Sequence, residues 1–272
     1  MRIGQWLRLA REAGVARLDA QRLLEHHLGR PRTWLLAHDD EPIDPELAAR
    51  ADTDLRRRLD GVPLAYLVGE REFHGLTLQV SADVLVPRPE TEGLVDWALE
   101  LAPQAPTRRL ADLGTGSGAV ALAFKHRAPA FDVWASDRSP AALEIARANA
   151  ARLHLPVTWR EGDWWAAFAG ERFGLVVSNP PYVADADPHL PALRHEPIGA
   201  LAAGPEGLDA LRSIVTGAPA HLGPGGWLLL EHGHDQAPAV ASLLRAAGFD
   251  AVATRADLAG LPRLTGGRRA SR

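Results

Sequence analysis

The sequence predicts an α/β protein in which a mostly parallel, helix-covered sheet follows a small helical domain and a β-hairpin. Three observations predict it. Apolar residues recur at helical spacing up to about residue 60, alternate as in a strand near 73–80, and from Arg109 onward fall into alternating strand and helix patterns.

In the first segment Trp6, Leu7 and Ala10, then Leu23, Leu24 and Leu28, share helical faces. From Pro45 to Leu59, Leu47, Ala51, Leu55 and Leu59 fall four apart on one expected face, and Asp44 is placed to cap that helix ahead of a proline. Its Arg56-Arg57-Arg58 triplet reads as a solvated helix face rather than a partner contact. After Gly61 and Pro63 the period changes, and Phe73-His-Gly-Leu-Thr-Leu-Gln-Val80 reads as part of a β-hairpin linking two domains. Val86-Pro-Arg-Pro-Glu-Thr-Glu92 then leads into an amphipathic helix with Leu94, Val95, Ala98 and Leu99 on one side. Strands are expected at 109–113, 132–136, 157–160, 173–178, 227–231 and 249–254, with a final strand and frayed end over 263–272. Helices are expected at 119–125, 140–151, 207–221 and 236–247, so the sheet is covered on both faces. The expected division is a helical domain over 1–68, a hairpin linker over 69–86 and an α/β domain over 87–272.

Composition narrows the function classes. Of the 272 residues 46% are hydrophobic, enough for one large core or two smaller ones and too many for a disordered chain. There is no cysteine, which excludes disulfide scaffolds, thiolate zinc sites and a cysteine nucleophile and fits a reducing compartment. The amino-terminal stretch has no apolar run suited to a signal peptide or a membrane span, so the expected location is cytoplasmic. Net charge is −4 and evenly spread: residues 1–85 carry 12 Arg against 14 Asp and Glu, which is not a nucleic-acid-binding balance. Lys125 is the one lysine beside 29 arginines, as biased G+C-rich codon usage would give, and only Tyr66 and Tyr182 are tyrosines.

Four motifs carry the chemistry. Ala111-Asp-Leu-Gly-Thr-Gly-Ser-Gly118 closes a strand and opens a helix; its glycines allow close backbone approach to a nucleotide-like ligand, and the helix amino terminus offers free N–H groups. It also satisfies a relaxed dinucleotide fingerprint, so alone it does not choose a cofactor. Asp137, at the end of the next strand, is suited to both ribose hydroxyls of a nicotinamide or S-adenosylmethionine cofactor, or else to helix capping together with Ser139. Glu161-Gly-Asp-Trp164-Trp165 offers a carboxylate and an indole for adenine, or a buried aromatic patch.

The fourth motif, Ser178-Asn179-Pro180-Pro181-Tyr182 at a strand end, decides among these. An amide or ring amino nitrogen is a poor nucleophile because its lone pair is delocalised. The Asn179 carbonyl oxygen and the Pro180 main-chain carbonyl can accept both N–H bonds of a planar NH₂, turning it toward a methyl donor, while Tyr182 stacks on the flat group. A dehydrogenase would explain the glycines and Asp137 but not this loop. A nucleic-acid aminomethyltransferase would use the same loop but should carry a basic surface.

With Tyr66-Leu-Val-Gly-Glu-Arg-Glu-Phe73, Val86-Pro-Arg-Pro-Glu-Thr-Glu92, Arg194-His-Glu-Pro197 and Leu229-Leu-Glu-His-Gly233 added to those motifs, the chain resembles the protein-(glutamine-N(5)) methyltransferases of peptide chain release factors, the PrmC/HemK family. The resemblance covers most of the chain. It implies a class I, Rossmann-like S-adenosylmethionine-dependent domain, a helical domain that helps dock the release factor, and methyl transfer to the amide of the Gln in the Gly-Gly-Gln loop. It further implies cofactor contacts at Gly114, Thr115, Gly116, Ser117, Gly118, Asp137, Trp164 and Asn179, and a glutamine pocket of Asn179, Pro180, Pro181 and Tyr182, with Asn179 and Pro180 catalytic. A monomer is expected, with no membrane or direct nucleic-acid partner. No metal is expected: Glu231-His-Gly-His-Asp235 looks like a ligand cluster but falls on a strand end and turn, and methyl transfer from a sulfonium needs no Lewis acid. Asp185 and Asp187 lie in a loop that either closes over substrate or is simply solvated.

Overall fold

In the computed structural model, which describes residues 1–270, the chain divides into two units between Glu70 and Arg71. The first unit holds helices α1 (Ile3–Glu12), α2 (Arg17–Leu28), α3 (Arg32–Ala37), α4 (Pro45–Leu59) and α5 (Leu64–Val68). Ile3, Trp6, Ala10, Leu23, Leu24, Leu35 and Ala51 form its core. The Trp6 indole N–H, which would otherwise be stranded in that apolar interior, donates to Asp52 Oδ1 at 2.7 Å. Asp44 caps α4, accepting from the Glu46 and Leu47 amides at 2.9 and 3.3 Å. All three arginines at the end of α4 find partners within the unit, Arg56 in Thr53, Arg57 in Asp54 and Arg58 in Asp19.

The expected apolar row on α4 is only partly buried: Ala51 is sealed while Leu59 is 48% exposed. The reason is geometric. A spacing of four overshoots one helical turn by ~40° at each step, so after three steps the row has rotated off the buried face.

A hairpin of β1 (Glu70–Phe73) and β2 (Leu76–Gln79), which starts at the last residue of the first unit and lies otherwise in the second, is turned at His74 and Gly75, both with positive φ. Phe73, Leu76 and Leu78 are buried in the core of this unit beside Leu94 and Val95. The hairpin thus packs as part of the α/β unit.

The remaining strands are β3 (Arg109–Leu113), β4 (Asp132–Asp137), β5 (Thr158–Glu161), β6 (Phe173–Ser178), β7 (Leu222–Glu231), β8 (Phe249–Ala256) and β9 (Pro262–Arg269). They form one sheet in the order β5-β4-β3-β6-β7-β9-β8, parallel from β5 to β7 and antiparallel at β9. Helices α6 (Glu92–Leu101), α7 (Ala119–Arg127), α8 (Pro140–Leu153), α9 (Asp209–His221) and α10 (Ala237–Ala246) cover it. Alternate residues serve the two layers: Leu175 and Val177 of β6 join the cluster under α6 and α7, while Val176 joins the cluster under α9 and α10.

Most element bounds shift by one or two residues from expectation, and one shifts further for a physical reason. Strand β7 begins at Leu222 rather than Trp227, because Leu222-Gly-Pro-Gly-Gly226 reads as a turn yet pairs with Phe173 through a register shift. The last strand ends at Arg269; residues 271 and 272, part of the expected frayed end, lie outside the described residues.

One buried polar side chain ties the hairpin to the glycine-rich turn. Asn149 on α8 accepts from the Gln79 amide at 2.7 Å and donates to the Gln79 and Ser117 carbonyls, both at 3.0 Å. Asn149→Ala leaves the buried Ser117 carbonyl and the two Gln79 backbone groups without this partner and is expected to lower unfolding free energy by about 2 kcal/mol, read from urea denaturation.

Candidate active site

Parallel pairing sets Leu113 of β3 opposite Ser136 of β4 and opposite Ser178 of β6. The next residues, Gly114, Asp137 and Asn179, therefore lie side by side at the carboxyl edge of the sheet. Strand order reverses here, since β4 lies to one side of β3 and β6 to the other, and such a switch opens a crevice at the carboxyl ends of the strands. A cavity occupies it, with Gly114, Thr115, Gly116, Ser117, Asp137, Trp164, Asn179 and Pro181 in its wall.

The glycine-rich turn is built for close approach. Gly116 has φ 54°, and a Cβ there would meet nothing within 4 Å, so the wall at this point is bare backbone. Asp137 braces the turn: Oδ2 accepts from the Gly116 amide and Oδ1 from the Ser139 amide, both at 2.9 Å. A carboxylate has about four acceptor positions, so each oxygen keeps capacity for a ligand hydroxyl. The alternative of helix capping is met instead by Ser139, whose Oγ accepts from the Ala142 amide.

Gly118, Pro180 and Tyr182 stand outside the cavity wall. At Gly118 a Cβ would press on Leu122 and Trp159 at 3.1 Å, so this glycine serves close helix–strand packing. Pro180 is buried, and the Tyr182 hydroxyl donates to Glu231 Oε1 at 3.3 Å. The two tryptophans divide their work. Trp164 faces the cavity, with its ring 3.2 Å from where a Gly114 Cβ would be; Trp165 stacks on His221 and donates to the Ile214 carbonyl.

Three buried residues to which the motifs gave no role at this crevice stand in or behind its wall. Asp112 lies fully buried in β3 and in the cavity wall, where its Oδ2 accepts from Thr115 Oγ1 at 2.6 Å and the Ala121 amide at 3.3 Å. Burial outweighs these hydrogen bonds and pushes its carboxyl up to about 7. An acidic residue inside an otherwise apolar strand was the available signal. Thr91, in a 3-10 turn (Pro89–Thr91), accepts from Asn179 Nδ2 at 3.0 Å. Glu231 ends β7, 1% exposed, and burial likewise pushes it up to about 7.

Around the rim, Glu196 binds the Arg88 guanidinium and accepts from the Val86 amide, so the Arg194–Pro197 segment is tied to the segment before α6. Asp185 is bonded to Gly204 in both directions, which pins that end of its loop. His232 is sealed between Thr265 Oγ1 and the Gly233 carbonyl. Among the described residues no group of three or more His, Asp or Glu is placed to hold a metal ion, and no helix is long and apolar enough to cross a membrane.

Sheet order and crevice together define a class I, Rossmann-like methyltransferase fold. Family models agree: residues 5–69 match a PrmC N-terminal domain and residues 96–195 a methyltransferase small domain. A release factor glutamine methyltransferase of Xylella fastidiosa is 51% identical over 93% of this chain and 94% of its own. One from Burkholderia pseudomallei is 50% identical over 96% and 94%. The chain belongs to the release factor glutamine methyltransferase family. Among solved structures, the T. thermophilus 16S rRNA N2 G1207 methyltransferase in complex with AdoMet and guanosine superposes with a TM-score of 0.55 at 21% identity, over 74% of this chain and 49% of that one, a likeness of fold alone.

The two raised carboxyls give a pH dependence with a definite sign. Between an ordinary carboxyl near 4 and a folded value of about 7, the folded state holds more protons on these two groups than the unfolded chain, so the stability they contribute is full below pH 4 and is lost as pH rises toward 7. The urea midpoint is expected to fall across that window from these two groups, and Asp112→Asn, which keeps the accepting oxygen, is expected to flatten part of the slope.

Proposed function

We propose that this chain transfers a methyl group from S-adenosylmethionine to the side-chain amide nitrogen of the Gln in the Gly-Gly-Gln loop of peptide chain release factors. The observation that carries this reading is Asn179. Its Nδ2 is occupied by Thr91, which leaves Oδ1 as the free end of the amide at a cavity walled by the glycine-rich turn and Asp137.

The residues fit the methyl donor. Bare backbone at Gly116, a braced carboxylate at Asp137 and the Trp164 ring suit the main chain, ribose and base of an adenosyl group. When bound, S-adenosylmethionine supplies an electrophilic methyl on a sulfonium. The chain's own part is orientation. Asn179 Oδ1 and the Pro180 main-chain carbonyl accept the two N–H bonds of the glutamine NH₂, holding the nitrogen in line and favouring the positive charge it gains as the new bond forms. Pro181 stiffens the loop and bounds the cavity, and Tyr182, outside the cavity wall, fixes the far end of the loop through its bond to Glu231. Thr115, Ser117 and Gly118 keep the turn in shape.

Residues 1–68 are the docking domain for the release factor on this reading, 69–86 the hairpin link and 87–272 the catalytic part. The chain works as a cytoplasmic monomer. The even charge of residues 1–85 argues against a nucleic-acid substrate.

Incubation with labelled S-adenosylmethionine and a purified release factor, followed by peptide mass spectrometry, is expected to place label on the loop glutamine. Label on nucleic acid and never on that glutamine would overturn the reading. Asn179→Ala is expected to lower kcat by about 100-fold, with S-adenosylhomocysteine binding retained to within roughly tenfold by calorimetry.

A further inference from the structure

Residues 189–201 contain no strand and no α-helix, only the 3-10 turns Leu190–Leu193 and Ile198–Ala200, so no long backbone ladder sets where this stretch lies. Apolar packing does not hold its centre either, since Ile198 is 63% exposed. Yet Pro197, Gly199 and Ala200 stand in the cavity wall, beside Leu85, Pro87 and Arg88 from a stretch far away in sequence.

We infer that Glu196 is a positioning residue for the methyl donor: it ties these two stretches of wall together and thereby sets how long the cofactor stays bound. The inference rests on the function proposed above. The Glu196 side chain is 3% exposed, and both of its oxygens are engaged. Oε2 accepts from the Val86 amide at 3.1 Å and Oε1 binds the Arg88 guanidinium, across 110 and 108 residues of chain. Charge-assisted bonds sheltered from water are the strong ones, so this carboxylate is the firm end of the stretch. A second pin lies three residues on, where Arg138, next to Asp137, donates to the Gly199 carbonyl at 3.0 Å. Gly199 leaves room for that arginine, since a Cβ there would fall 2.5 Å from Arg138 Nη2. The loop that would hold the glutamine is fixed by other groups, Tyr182 by its bond to Glu231 and its carbonyl by Gln236 Nε2 at 3.0 Å. Loosening the wall at Glu196 therefore acts on the cofactor and leaves the methyl-accepting loop in place.

The release of labelled S-adenosylhomocysteine from the full chain, chased with unlabelled compound, tests this, with circular dichroism confirming that each variant is folded. Glu196→Ala is expected to speed release about 10- to 100-fold. Glu196→Gln, which keeps an accepting oxygen for the Val86 amide and loses the charge on Arg88, should fall between parent and alanine. Turnover with a purified release factor is expected to show the KM for S-adenosylmethionine raised in step, while the KM for the factor stays within about threefold and kcat at saturating cofactor falls by no more than about threefold. Gly199→Ala, which pushes Arg138 off the second pin, is also expected to speed release, and it carries the test should both Glu196 variants fail to fold. Unchanged release in the folded variants, or a loss of kcat at saturating cofactor with release unchanged, overturns the inference. A parent chain that binds no S-adenosylhomocysteine would instead overturn the functional reading.

Discussion

The candidate site depends on the register of three parallel strands. Pairing of Leu113 with both Ser136 and Ser178 brings Gly114, Asp137 and Asn179 to the carboxyl edge of the sheet at one level. A slip of one residue in β4 or β6 would move its end by ~3.3 Å and turn its side chains to the opposite face. The close packing of Val176 in one layer and of Leu175 and Val177 in the other opposes that slip. Core packing is thus what places the polar groups, and the long buried run of β6 is as much a part of the site as Asn179.

Behind that row stands a second tier of buried polar groups. Asp112 receives Thr115 and the start of α7, Glu231 receives Tyr182, and Asn149 holds the Ser117 carbonyl. Each fixes a loop that would otherwise be free to choose among backbone conformations. Two of the three are carboxyls that burial pushes up to about 7, so at neutral pH this bracing comes at a cost in stability. A rigid loop at the mouth of a parallel sheet is what orientation of a weak nucleophile requires.

Much of this was legible in the sequence because its signals are local. The glycine-rich turn, Asp137 at a strand end and Asn179-Pro-Pro-Tyr182 each carry their chemistry within a few residues, and strand–helix alternation gives the sheet. What was not legible depends on partners far along the chain. Thr91 sits unremarked in Arg-Pro-Glu-Thr-Glu until Asn179 is folded against it, and Glu231 looks like part of a metal cluster until Tyr182 is seen on it. Periodicity misleads where it is sampled too coarsely, as at Leu59, and a Trp-Trp pair does not say which ring meets a ligand and which meets α9. Gly225 and Gly226 hid the start of β7 because a bulged strand and a turn share the same residues.

The central claim is that Asn179 presents its carbonyl oxygen, held by Thr91, to the amide of a substrate glutamine. A crystal structure of the chain with S-adenosylhomocysteine and a Gly-Gly-Gln peptide tests it most directly. The glutamine nitrogen is expected within hydrogen-bond distance of Asn179 Oδ1 and the Pro180 carbonyl, with Nδ2 still on Thr91 and the cofactor ribose on Asp137. A glutamine bound elsewhere, or an Asn179 amide turned with Nδ2 toward the ligand, would contradict the claim.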